Sequence, residues 1–171
     1  MLLYLDFGGR SGVLAPWVPT RDELIPYVMM VAKPKKGDVF YDLGCGDGRV
    51  AIEASLRGAK AVCVEISKEL IERARERAVK LGLRDRIEFI NEDFFNVDLR
   101  NATVVYMYLL TSVNRMLRPK LERELRLGTR VVTLDFEIPG WRPVHIVRVS
   151  LGYRDATIYL YIKGISDSVK A

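Results

Sequence analysis

A carboxylate and three alternating glycines share one short stretch, Asp42-Leu43-Gly44-Cys45-Gly46-Asp47-Gly48. It follows the apolar run Val39-Phe40-Tyr41 and precedes a helical pattern from Arg49 to Arg57. A strand, a glycine-rich turn and a helix in that order bring backbone close to a polar ligand at the carboxyl end of a parallel strand. Gly44 and Gly46 remove the Cβ atoms that would block the approach, and Gly48 eases helix–strand packing. A carboxylate ahead of the first glycine separates this turn from a phosphate loop. Asp42 points instead to a ligand bearing an ammonium or another cation.

Two more acidic positions recur at similar places. Glu65 ends an apolar run at 60–66 and lies 17 residues after Gly48. A nucleoside-binding α/β unit puts a carboxylate there on the ribose, because two ionised oxygens match a vicinal diol. Asn91-Glu92-Asp93-Phe94 ends the run at 87–92. A carboxylate at Asp93 can accept from the exocyclic amine of adenine, with Phe94 or Phe95 over the base.

These residues need a parallel sheet to hold them at one edge. Strands are expected at 38–43, 60–66, 87–92, 102–108 and 129–135, with helices at 48–57, 67–81 and 113–126. The strands are rich in Val, Ile and Tyr and almost continuously apolar, as strands buried on both faces are. Runs at 143–151 and 155–163, joined around Gly152-Tyr153-Arg154, read as an antiparallel hairpin. Asp135–Pro143 is too short for another crossover helix. Ahead of the sheet, residues 1–19 read as an irregular arm with Gly8-Gly9, Gly12, Pro16 and Pro19. Thr20-Arg21-Asp22-Glu23 has capping-box spacing, which predicts a helix from Arg21 to about Ala32 that Pro26 bends early. The sum is a doubly wound α/β domain, 1–171, in which residues 1–33 form an arm and helix over the site.

Bulk properties exclude several classes. The 171 residues are 49% hydrophobic and 29% charged, which is neither a disordered nor a membrane-spanning composition. Met1 to Asp6 lacks the basic segment and long apolar core of a signal peptide. Cys45 and Cys63 sit on predicted strands without metal-ligand spacing, so the expectation is free thiols in a reducing cytoplasm and no metal. The net charge of +5 is mild and interspersed, as in Arg73-Ala74-Arg75-Glu76-Arg77, a solvated helix face rather than a nucleic-acid patch. Abundant Arg, Glu and Lys with few Cys, Asn and Gln suit a thermophile.

The three stations together resemble the class I S-adenosylmethionine-dependent methyltransferases. Residues 42–48 match that family's first motif, Glu65 its second-strand acid and Asp93 its adenine acid. The family often has Gly where this chain has Glu92. The resemblance implies a seven-stranded sheet in the order 3-2-1-4-5-7-6 with strand 7 antiparallel, over residues 38–163. It also implies S-adenosyl-L-methionine as cofactor. The Asp/Asn-Pro-Pro-Tyr/Phe signature of enzymes acting on planar amines is absent from Tyr106-Met107-Tyr108-Leu109-Leu110.

Residues 16–20, 108–114 and 135–141 instead resemble the small archaeal protein-lysine methyltransferases, themselves similar to those acting on the c-ring protein of mitochondrial ATP synthase. That resemblance implies methyl transfer to lysine ε-amines of protein substrates with broad specificity, by a cytoplasmic enzyme acting as a monomer. It assigns Pro19, Thr20, Asp42, Gly44, Cys45, Gly46, Glu65, Asp93, Phe94 and Tyr106 to the cofactor. Leu109, Leu110, Phe136 and Trp141 would line the lysine channel, and Tyr108 would orient the amine. The competing readings are an RNA or small-molecule methyltransferase and a non-catalytic cofactor-binding partner protein. His145, on a late strand, is assigned no catalytic part.

Overall fold

The computed structural model describes residues 2–7 and 10–168, the segments 2–7 and 10–16 by backbone alone. Two strands, β1 (Leu2–Phe7) and β2 (Arg10–Pro16), pair antiparallel as a separate ribbon, where the sequence had suggested irregular chain. The expected Gly8-Gly9 break lies outside the described residues.

The capping box does not form. Arg21 precedes a 3-10 turn, Asp22–Leu24, without any side-chain cap, and the helix α1 begins only at Ile25 and ends at Ala32. The Thr20 hydroxyl is taken by a distant tyrosine, so it cannot serve the first turn. Pro26 sits in the first turn of α1, where its missing N–H leaves no intrahelical bond unmade.

The alternating elements then follow as β3 (Val39–Leu43), α2 (Arg49–Leu56), β4 (Lys60–Val64), α3 (Lys68–Lys80), β5 (Ile87–Ile90), β6 (Val104–Met107), α4 (Thr111–Glu124), β7 (Arg130–Leu134), β8 (His145–Ser150) and β9 (Asp155–Ile162). The main sheet has the order β5-β4-β3-β6-β7-β9-β8, parallel except for β9, which runs antiparallel to both neighbours. This is the order that the resemblance implied. Residues 135–144 join β7 to β8 without a helix.

Period-two alternation sends Tyr41 and Leu43 of β3, with Val105 and Met107 of β6, into the layer under α4. Phe40 and the β6 residues Val104 and Tyr106 face α1 and α2. A third apolar cluster joins α2 and α3 through Ala51, Ile52, Ile71, Ala74 and Ala78. The strand order reverses at β3, between β4 and β6. Open α/β sheets form their ligand crevice at such a point, beyond the carboxyl ends of the strands.

Candidate active site at the carboxyl edge of the sheet

The glycine turn leaves β3 with its backbone anchored on the neighbouring strand. The amides of Gly44 and Cys45 both donate to the Val64 carbonyl, at 2.9 and 3.0 Å. Gly44, Gly46 and Gly48 all have positive φ, the left-handed region that disfavours side chains. At Gly48 an added Cβ would stand 2.7 Å from the Ala74 Cβ, so this glycine sets how closely α3 approaches. At Gly46 an added Cβ would run into the Trp17 indole. Gly46→Ala is therefore expected to lower stability by about 1–2 kcal/mol for the backbone alone and to displace Trp17. A lower thermal midpoint with red-shifted tryptophan emission would register both effects; an unchanged emission spectrum would contradict the contact.

The cysteine expectation is corrected here. Cys45 lies in the turn rather than on a strand, and it is disulfide-bonded to Cys63 of β4, with Cα atoms 5.4 Å apart. Register explains the pairing: Asp42 stands beside Cys63, so the chain leaving β3 passes directly over that side chain. The bond ties the ligand turn to the second strand.

A cleft of about 140 Å³ opens where β3 and β6 end. Asp42 and Tyr106 are direct register partners, which brings their side chains to the same face of the sheet. The Tyr106 hydroxyl shares a 2.8 Å hydrogen bond with Thr20 Oγ1, and burial pushes its pKa up. Asp42 is only 2% exposed, and its Oδ2 has no hydrogen-bond partner among the described residues. Burial first, with help from the charges of Glu65 and Asp47, pushes its carboxyl up to about 8. An orphaned carboxyl oxygen at the wall of a cleft is an acceptor that the N–H donors of a bound ammonium would satisfy, and the residues present fit such a ligand.

Pro19, Thr20, Asp42, Gly44, Cys45, Phe94, Tyr106, Tyr108, Leu109, Leu110 and Phe136 all line this cleft. Three other expected residues stand at the sheet edge but outside its lining. Gly46 is covered by Trp17. Glu65, 1% exposed, accepts from the amides of Gly46 (3.0 Å) and Ser67 (2.8 Å), and burial raises its pKa. Asp93 accepts from the Phe95 amide at 2.9 Å, while Glu92 accepts from the Asp93 amide. Trp141 is placed elsewhere: it is buried, packs edge-on to Tyr161 and donates Nε1 to Glu122 at 3.0 Å. The expectation that it lines the lysine channel is thereby corrected, because residues 138–141 turn down onto α4 rather than up into the cleft. His145 sits on edge strand β8, outside the cleft.

Sequence reasoning missed several participants. Trp17 and Val18 line the cleft from the N-terminal side. Arg49 grips Asp47 through two hydrogen bonds (3.0 and 2.8 Å) and reaches the Thr20 carbonyl (3.2 Å) and Asp22 (2.9 Å). It fastens the segment before α1 to the glycine turn. Asn91 donates to the carbonyls of Glu65 and Ile66, joining the ends of β4 and β5. Asn114, fully buried in α4, donates to the carbonyls of Phe136 and Glu137 and so shapes the loop that presents Phe136. Its place just after Thr111-Ser112-Val113 was visible in the sequence, but its partner loop was not. Among the described residues no group of three His, Cys, Asp or Glu side chains is placed to hold a metal ion, and no helix is long and apolar enough to cross a membrane.

Comparison with known proteins agrees with this geometry. Residues 42–145 match the family described as the ANTKMT methyltransferase domain. A protein-lysine N-methyltransferase of Saccharolobus islandicus is 46% identical over 151 residues, covering 87% of this chain and 94% of that protein. The adenine nucleotide translocase lysine N-methyltransferase of Mus musculus is 32% identical over 77% of this chain, which spans 58% of the mouse protein. Among solved structures, an RNA methyltransferase from Salinibacter ruber in complex with S-adenosyl-L-homocysteine superposes with a TM-score of 0.80. It is 39% identical and covers 90% of this chain and 97% of its own. The matched segment begins at Asp42 and takes in the glycine turn, both later acids and the cleft-lining stretch through Phe136. This chain belongs to the ANTKMT methyltransferase family.

Proposed function

We propose that the protein transfers methyl groups from S-adenosyl-L-methionine to the ε-amines of lysines on protein substrates. The observation that carries this reading is the cleft itself: an unpartnered buried carboxylate at one end and an apolar, aromatic wall of Tyr108, Leu109, Leu110 and Phe136 at the other. The 46% identical relative named for protein-lysine methylation supports the choice of amine.

When bound, S-adenosylmethionine supplies an electrophilic methyl group: the amine lone pair forms the N–C bond while the S–C electron pair stays on sulfur. Asp42 would hold the ammonium of the donor through its unpartnered Oδ2. Glu65 and Asp93 would take its ribose and adenine. Residues 17–20, which line the cleft ahead of α1, would cover the donor. The wall residues exclude water from the incoming lysine. A free lysine with pKa near 10.4 is less than about 0.1% neutral at pH 7, so a dry channel, which lowers that pKa, generates the nucleophile without a dedicated base. The surplus proton leaves to solvent.

Acting alone as a monomer, such an enzyme accepts exposed lysines on many proteins. A cytoplasmic thermophile is the setting we assign. The Cys45–Cys63 bond is compatible with it, since intracellular disulfides are frequent in hyperthermophiles. The test is incubation with isotope-labelled S-adenosylmethionine and a mixture of lysine-rich proteins and RNA, followed by mass spectrometry. Label on lysine side chains is the expected result. Label confined to RNA or to a small metabolite would overturn the lysine reading and favour the activity named for the Salinibacter ruber neighbour.

A further inference from the structure

The turn between β8 and β9, closed by a 2.9 Å bond from the Leu151 amide to the Arg154 carbonyl, projects two side chains toward the site. Tyr153 reaches the segment before α1: its hydroxyl meets Glu23 at 3.2 Å, and the Arg21 guanidinium lies 5.1 Å from its ring centre. Arg154 reaches the cleft wall. Its Nη2 donates to the Tyr108 hydroxyl at 3.3 Å and is paired with Asp135.

Asp135 is built to hold that guanidinium. It directly follows β7 in the left-handed region, with φ of 63°, where a non-glycine residue is uncommon. Its amide donates to the Thr157 carbonyl at 2.7 Å, and its Oδ1 accepts from the Thr157 amide at 3.0 Å. Backbone and carboxylate of Asp135 are thus each tied to Thr157 of β9, leaving Oδ2 for Arg154. Tyr108 is held from another direction as well, since its ring stacks on Phe136 with centres 6.0 Å apart. Phe136 directly follows Asp135, so one short loop supplies both the carboxylate and the stacking face.

We propose that Arg154, held by Asp135, is a positioning residue for the methyl-accepting amine: it fixes the Tyr108 hydroxyl at the wall of the cleft. The inference rests on the lysine reading of that cleft. A tyrosine stacked on one ring keeps freedom to swing its hydroxyl within the plane of the stack. A guanidinium anchored on a rigid carboxylate removes that freedom, because its N–H donors lie in a planar, preorganised fork. The hydroxyl then meets the arriving amine in one orientation, which is the geometric precondition for aligning the nitrogen with the methyl group.

Two measurements test this. Arg154→Ala is expected to lower kcat/KM for the protein substrate by about 10- to 100-fold, the range for displaced positioning groups. Its affinity for S-adenosylmethionine, by calorimetry, should stay within about twofold of wild type. In a Tyr108→Phe background the same substitution should have little further effect, because no hydroxyl remains to be placed. Should Arg154→Ala fold poorly by thermal midpoint, Arg154→Lys keeps Asp135 compensated and is compared in the same two backgrounds. Effects that multiply across the two backgrounds, a wild-type kcat/KM, or a cofactor affinity that falls with the rate would each overturn the proposal. A wild-type protein that methylates no lysine would overturn the lysine reading itself, a result distinct from a lysine methyltransferase in which Arg154 and Tyr108 are uncoupled.

Discussion

Asp42→Ala is expected to weaken S-adenosylmethionine binding by roughly 30- to 4,000-fold, from the 2–5 kcal/mol that loss of one partner of a buried charge pair costs. The chemistry of the free protein explains why the effect is large. Its Asp42 carboxyl is pushed up to about 8 by burial, so it is mostly protonated at pH 7. A ligand ammonium arriving at the unpaired Oδ2 restores the ionised form, and binding should then release close to one proton per cofactor at pH 7. Calorimetry in two buffers of different ionisation enthalpy measures that release. Unchanged affinity in the variant, or no proton released by wild type, would refute the role.

The same carboxyl makes a stability prediction with an unusual sign. Between the unfolded value of 3.8 and the folded value of about 8, the native chain keeps a proton that the unfolded chain has lost. Stability of the cofactor-free protein should therefore fall as pH rises through that window and level off above it. Glu65, also raised by burial, adds in the same sense. Asp42→Asn should remove a slope of a few kcal/mol, read from denaturant midpoints at pH 5 and pH 8.

Loss of the Cys45–Cys63 bond is the second large effect. The two residues are 18 apart in sequence, and opening a loop of that length costs about 3 kcal/mol in the chain-entropy account. For a domain of this size the double variant Cys45→Ala/Cys63→Ala should melt roughly 6–12 °C lower. Wild type under strong reductant should shift by a similar amount. The turn itself should survive, because the Gly44 and Cys45 amides are independently bonded to Val64. Equal midpoints, with two titratable thiols in the untreated protein, would remove the bond from the account.

The sheet was legible in the sequence because its signals are local. Each strand carries its own apolar run, and the helix–strand alternation reads as a doubly wound domain. The short Asp135–Pro143 connection departs from that pattern, and the strand order came from the family resemblance. The helix expected at 67–81 begins where its first residue, Ser67, caps α3 by accepting from the Leu70 amide at 3.3 Å. Thr20 reads as a cap, yet it bonds Tyr106, 86 residues away. A cap motif states what a side chain can do nearby; a buried hydroxyl without another partner outbids it. Trp141 shows the same limit, since an aromatic residue in a loop carries no mark of which side of the loop it will bury.

By itself the sequence determined the carboxyl-edge stations, Asp42 with its glycines, Glu65 and Asp93, because strand ends and glycine turns are written in consecutive residues. Only the tertiary structure decided which of them open onto the cleft, that Trp17 lies over Gly46, that Cys45 pairs with Cys63, and that Arg154 reaches Tyr108. Those pairings depend on strand register and on which face each side chain takes, and both are set by packing of the whole sheet.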